Sequence, residues 1–451
     1  MTHVARIRPA LVLLCAALPS LLQAYPLDDY ARTGIRRLDY AAQVESGEIP
    51  GRRLQPGQYL PSRAIAPRWT ASDGSRLPAP DPEFSRKLGL LLDANARPNY
   101  GIAVLDLSDP DHPRYGTHNA DIRANIGSVG KIMVALALFQ QLADLYPDDI
   151  AARERVLRET RITADIFSQY DHHHVVFWNP ETRKRQSRSI RIGDRGSLWE
   201  YLDWMLSASS NSAAGMVQKE LIALRHFGRA YPPGTEQEAA FFADTPRAQL
   251  GEIMRTTMDS ATTRNGLDPE QLRQGSFFTR SGNQRIPTTS SYGTPQALVE
   301  YLFRLEAGTL VDPYSSAEIK RLLYMTQRRI RYASHPALND AAVYFKSGSF
   351  FQCLKPGSCA KYKGDKTNRL ASIAIVESPA GAPRIHYLVA VMSNVLYVNS
   401  AVAHQTLAMR IHRLIEKLHP QSEVETQVPE QAYPQVPVDD TDDANSNGPE
   451  Q

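Results

Sequence analysis

Residues 125–142 read NIGSVGKIMVALALFQQL. The stretch turns apolar and helix-like after Lys131, and Ser128 and Lys131 stand three residues apart at its predicted first turn. Residues at i and i+3 share a helix face, so a hydroxyl and an amine project together from the start of an otherwise apolar helix. A serine hydroxyl is a weak nucleophile at neutral pH and needs a base. A lysine can be that base when burial or neighbouring positive charge favours its neutral form. The helix start adds backbone N–H groups and the positive end of the helix dipole, which suit a developing oxyanion. A serine N-cap beside a solvated lysine is the ordinary alternative, and Ser-x-x-Lys alone does not decide between them.

Two further groups stand later in the chain. Residues 207–214 read SASSNSAA, between two predicted helices, so Ser209 and Asn211 form Ser-x-Asn. Such a loop offers a hydroxyl to relay a proton and an amide to hold a substrate amide, or it simply caps a helix. Residues 343–351 read VYFKSGSFF, with Lys346, Ser347, Gly348 and Ser349 on a predicted strand. A lysine and a hydroxyl suit a substrate carboxylate, and a strand glycine admits close approach of a ligand backbone. An edge-strand lysine that discourages aggregation is the alternative.

Ser-x-x-Lys, Ser-x-Asn and Lys-Ser-Gly, in this order, resemble the signature of class A β-lactamases and penicillin-binding proteins. The resemblance spans roughly residues 84–417. It implies an α+β fold of the β-lactamase/transpeptidase type: an antiparallel sheet lobe flanked by helices, with an inserted all-α lobe. It implies Ser128 as the acylated nucleophile, Lys131 as base or proton relay, and Ser209 as proton donor to the leaving nitrogen. Asn211 would bind the substrate's side-chain amide. Lys346 and Ser347 would hold its carboxylate, and the N–H groups of Ser128 and Ser349 would form the oxyanion hole. Arg369, in TNRLASIAIVE, stands where the family carries a basic residue that helps bind the carboxylate; a surface arginine at a strand start is the alternative. The implied substrate is a small β-lactam or a peptidoglycan peptide, and the reaction needs no metal or organic cofactor.

The match departs from the pattern in two places. Ser210 occupies the middle of the second motif, where the pattern has Asp. Class A β-lactamases activate the deacylating water with a Glu in Glu-x-x-Leu-Asn, and no such string lies between Asn211 and Lys346. Glu236, Glu238, Glu252 and Glu270 are there, without the following Leu-Asn. Slow deacylation describes a penicillin-binding peptidase or a penicillin-trapping protein better than a drug-degrading enzyme, but the overall pattern is closer to class A β-lactamases. The resemblance therefore implies a serine acyl-transfer hydrolase of that type, with a cell-wall D,D-peptidase or esterase, or a non-turnover penicillin-binding sensor, as the alternative.

Around the motifs, the 451-residue chain divides into segments. Residues 1–24 carry Arg6 and Arg8, then LVLLCAALPSLL, then Ala24, the form of an export signal, with a retained anchor as the alternative. Residues 25–83 are rich in Pro, Arg and Asp and read as an extended arm, with one short helix near DDYARTGIRRLDYAAQV. Residues 84–127 and 335–417 are expected to build the sheet lobe, and 128–334 the helical lobe, because strand patterns at both ends bracket helical periodicity. Beyond Lys417 there are eight Asp/Glu and no Lys or Arg, the composition of a disordered tail.

The net charge of +3 carries no basic stripe, so nucleic-acid binding has no support. No apolar run after the signal reaches the ~20 residues of a membrane span. Once the signal is cut, Cys353 and Cys359 are the only cysteines, and Pro356 and Gly357 put a turn between them. A local disulfide in a periplasmic or secreted, monomeric protein is expected. His172, His173 and His174 are consecutive and cannot all point one way, so a polar loop is expected there rather than a closed metal site.

Overall fold

The computed structural model describes residues 26–69 and 76–420. The signal-like start and nearly all of the acidic tail lie outside the described residues. A five-stranded antiparallel sheet organises one lobe. Its strands are β1 (Tyr100–Asp106), β2 (Arg114–His118), β3 (Ala342–Gln352), β4 (Thr367–Ser378) and β5 (Ile385–Asn394). Their order is β2-β1-β5-β4-β3, so the strand carrying Lys346 forms one edge.

Both faces of this sheet are covered, which explains why its strands read as nearly unbroken apolar runs. Alternate residues serve opposite cores. Ile102, Val104, Ala374, Val376, Val389 and Val391 face the side that also receives Phe84 and Leu88 of helix Pro82–Leu90 and Leu407, Ile411 and Ile415 of the C-terminal helix Ser400–Leu418. Ala103, Leu105, Ile373, Ile375, Leu388 and Ala390 face the larger core. Helix Lys131–Leu145 runs through that core, and every residue from Lys131 to Leu142 is buried. With its leading turn it is long and apolar enough to qualify as a membrane span by composition, but 78% of that window is buried inside the protein. Its apolarity serves the core.

The strands at both chain ends, the intervening helices and the final helix stand where the sequence pattern puts them, but the inserted lobe is not all-α. Arg161–Thr163 pairs with Arg195–Ser197, and Val175–Asn179 with Lys184–Arg188, in small two-stranded sheets. Two further assignments change. Helices Pro295–Glu306 and Pro313–Tyr324 pack against the sheet, not only against the helical lobe to which residues 128–334 were given. Their buried faces fit two partners equally well, and periodicity does not name the partner.

The second change concerns the arm. It carries helix Arg36–Glu45, and Leu27, Ile35, Leu38, Leu60 and Ile65 are buried in the main core. The compact fold therefore begins well before Phe84. Charges fasten this strap. Arg37, 6% exposed, donates to both carboxylate oxygens of the fully buried Asp203 at 2.5 Å and to Met325 O at 2.7 Å. Farther along, Lys320 Nζ is buried with Glu306 at 2.8 Å and Glu377 at 2.7 Å. It also donates to Ala66 O of the strap at 2.8 Å, and Arg68 meets Glu377 at 3.0 Å. The disulfide Cys353–Cys359 closes the turn that follows β3.

Removing one partner of a buried ion pair strands the other charge. Arg37→Ala is expected to lower unfolding stability by about 3–5 kcal/mol. Chemical denaturation measures this, and a loss below ~1 kcal/mol would show that the strap is not anchored there.

Candidate active site

The chain enters helix Lys131–Leu145 through a turn, Gly127–Gly130, that starts at positive φ (Gly127, +53°). That turn carries Ser128 to the lobe boundary. One helical turn on, Lys131 has no exposed surface. Its Nζ donates to Ser128 Oγ at 2.8 Å, Ser209 O at 2.7 Å and Asn211 Oδ1 at 2.6 Å. The Ser-x-x-Lys and Ser-x-Asn motifs, about 80 residues apart in sequence, thus meet on one nitrogen.

The Lys-Ser-Gly strand closes the group from the other lobe. Lys346, 3% exposed, donates to Ser209 Oγ at 2.8 Å and to Ser347 O at 3.1 Å. Ser209 is held between two lysines, its carbonyl on Lys131 and its hydroxyl on Lys346. It adopts left-handed backbone, φ +63°, which a non-glycine residue keeps only when its surroundings impose it. Burial, and then the charges of Lys131 and Arg331, push Lys346 well below the usual lysine range. A readily deprotonated lysine on a serine hydroxyl is a chain for moving protons.

Gly348 is required by space. Any Cβ there would collide with Ile126 O and with Ser128 N. The edge strand therefore lies directly on the turn that holds Ser128, which brings the region of the Ser349 N–H beside that of Ser128. Gly127, in the same turn, sits 3.5 Å from Ser349 N when measured from an added Cβ.

Among the described residues no hydrogen bond or ion pair joins Arg369 to this group; it pairs in register with Phe350, three positions along from Ser372, the partner of Ser347. The guanidinium that reaches Ser347 is Arg331, bonding Ser347 Oγ at 2.8 Å, Ser349 Oγ at 3.0 Å and Tyr362 OH at 3.1 Å. The sequence singles out nothing at Arg331, one of several arginines in QRRIRYASH. Its own left-handed φ of +52° is a property of the folded chain.

Opposite the lysine, the loop after residue 270 presents Phe278, whose ring centre lies 4.7 Å from Lys131 Nζ. Gln218 holds this loop in place, accepting from Phe278 N at 3.1 Å and donating to Ser276 O at 3.0 Å. Three of the four glutamates of this region are engaged elsewhere. Glu252 pairs with Arg255, Glu270 with Arg273 and Glu238 with Lys219, and Glu236 is exposed.

Among the described residues two clusters have metal-like spacing, Asp171/His172/His173 and Glu306/Glu377/His386. The Lys320 ammonium occupies the second. In the first, Asp171 is hydrogen-bonded to His173 Nδ1 at 2.6 Å. The loop expected to be merely polar is partly buried there.

Residues 83–407 match the model of the beta-lactamase enzyme family. The chain belongs to that family. Its fold is of the β-lactamase/transpeptidase type, and it is an enzyme of the serine-hydrolase type. Among solved structures it is similar to PBP-A, at 15% identity and TM-score 0.47, over 76% of this chain and 100% of that one. It is also similar to a beta-lactamase from Chitinophaga pinensis, at 16% identity and TM-score 0.48, over 74% and 99%. A beta-lactamase from Sphaerobacter thermophilus stands at 12% identity and TM-score 0.48, over 75% and 98%. No curated protein sequence matches the chain.

A methyl group at Gly348 must push the edge strand off the nucleophile turn. Gly348→Ala is expected to fold and to acylate at least ~100-fold more slowly, the scale of an ångström-sized misplacement. Stopped-flow acylation with a chromogenic cephalosporin measures it, and a wild-type rate would refute the close-approach reading.

Proposed function

We propose that this chain is a periplasmic or secreted serine acyl-transfer hydrolase that opens a β-lactam, or a related cell-wall peptide amide, through an ester on Ser128. The observation that carries the proposal is the convergence of Ser128, Ser209 and Asn211 on Lys131, with Lys346 on Ser209. Ser128 Oγ attacks the carbonyl carbon and its proton passes to Lys131 Nζ. The oxyanion forms toward the N–H groups of Ser128 and Ser349. The C–N bond then breaks. The leaving nitrogen takes a proton from Ser209 Oγ, and the proton that Lys131 took from Ser128 replaces it by way of Lys346, so both lysines end as they began. Asn211 orients the substrate amide, and Ser347 with Arg331 receives the carboxylate.

Water must then cleave the ester. Phe278 stands beside Lys131, and Glu238, Glu252 and Glu270 are paired with other groups. An aromatic ring cannot activate water. This supports a long-lived acyl-enzyme, as in a D,D-peptidase or a penicillin-binding sensor, over rapid class A-type turnover. The disulfide supports an oxidising compartment.

Labelling with a fluorescent penicillin tests the assignment. Ser128→Ala should take up no label, and Lys131→Ala should label at least ~100-fold more slowly, the usual contribution of a general base. An unchanged Lys131→Ala rate would remove the lysine from that role.

A further inference from the structure

The second motif reads Ser209-Ser210-Asn211, with a serine in the middle where the family signature has an aspartate. The structure puts a carboxylate back at that place from another part of the chain. Asp171 Oδ2 accepts from Ser210 Oγ at 2.8 Å and from Ser212 N at 3.0 Å. Ser210 Oγ in turn accepts from Ala213 N at 3.1 Å and so caps the helix that begins with Asn211. Asp171 therefore brackets the residue that bonds Lys131.

The carboxylate is itself held firmly. Its side chain has no exposed surface. Oδ1 takes a hydrogen bond from His173 N at 3.1 Å and lies 2.6 Å from His173 Nδ1. Burial opposes its ionisation, yet the bonds from His173 and from Ser212 N bring its carboxyl well below the usual range, so the acceptor is a carboxylate.

The same segment also reaches the other wall of the cleft. Ser212 Oγ donates to Ser168 O, Thr279 Oγ1 to Phe167 O at 2.8 Å, and Ser281 Oγ to Gln169 O. Residues 167–173 thus tie the Ser-x-Asn turn to the loop that presents Phe278. This linkage fixes both walls around Lys131.

We propose that Asp171, oriented by His173, is a positioning residue that supplies, from elsewhere in the chain, the carboxylate missing from the middle of the Ser-Ser-Asn motif and so fixes Ser209 and Asn211 on Lys131. An aspartate at position 210 would be an equally good N-cap and could reach the same N–H groups. The carboxylate and the hydroxyl should therefore be exchangeable between positions 171 and 210.

The inference rests on the proposed acylation at Ser128, and the experiment separates the two. Wild type, Asp171→Ala, and the swap Asp171→Ser with Ser210→Asp are compared in acylation rate, in apparent penicillin affinity, and in hydrogen exchange of the Ser212 and Ala213 amides without ligand. Asp171→Ala should acylate about 10–100-fold more slowly, the cost of a misplaced catalytic group. Its affinity should change less than its rate, and the two amides should exchange faster. The swap should recover most of the rate and the protection. Wild-type acylation by Asp171→Ala would overturn the proposal. So would a defect that the swap leaves in place while thermal stability is restored. If wild type itself is never acylated, the reading of Ser128 fails, and the exchange data alone still decide whether Asp171 holds the motif, with unchanged protection in Asp171→Ala overturning it.

Discussion

A lysine side chain with no access to water must find acceptors for its hydrogens within the protein, and Lys131 finds them on Ser128, Ser209 and Asn211. That requirement organises the site. Ser128 comes from the lysine's own helix, so a turn must lift it to the boundary. Ser209 and Asn211 come from a different helix start, so the loop between two helices must bend back onto the first. The left-handed backbone of Ser209 is the local cost of that bend. The apolar character of the nucleophile helix serves the same end, because it keeps water from the amine.

The sheet meets this centre at one place only narrow enough for glycine. Gly348 lets the edge strand rest on the nucleophile turn, and Lys346 on that strand completes the bonding of Ser209. Burial, and then the charges of Lys131 and Arg331, hold Lys346 well below its ordinary range. The three motifs form a single hydrogen-bonded unit rather than three separate contacts with a substrate.

Much of this was legible in the sequence because it is written locally. Nearly unbroken apolar runs mark the strands of the sheet, period-3.6 runs mark the helices, and motif order carries the resemblance. The cysteine pair around Pro356-Gly357 is equally local. What sequence reading missed is non-local. Arg37 and Asp203 are 166 positions apart, so the strap looked like a linker. Arg331 reaches Ser347 only because the fold turns its backbone, whereas Arg369, the candidate by pattern, pairs with Phe350, three positions along from Ser347. Asp171 stands 39 residues before Ser210 in a histidine-rich loop with no motif of its own. Phe278 faces Lys131 from a loop whose register no periodicity sets.

In the function proposed above Ser128 is acylated, and the ring of Phe278, 4.7 Å from Lys131 Nζ, does not activate water for release. Intact-protein mass spectrometry after a brief exposure to excess benzylpenicillin and removal of the free drug tests it directly, with peptide mapping of the adduct. The account predicts one adduct per chain, on Ser128, that persists long after the drug is gone. An adduct on any other residue, or none, would contradict the acylation centre. A Ser128 adduct that clears as fast as it forms would contradict the role given to Phe278.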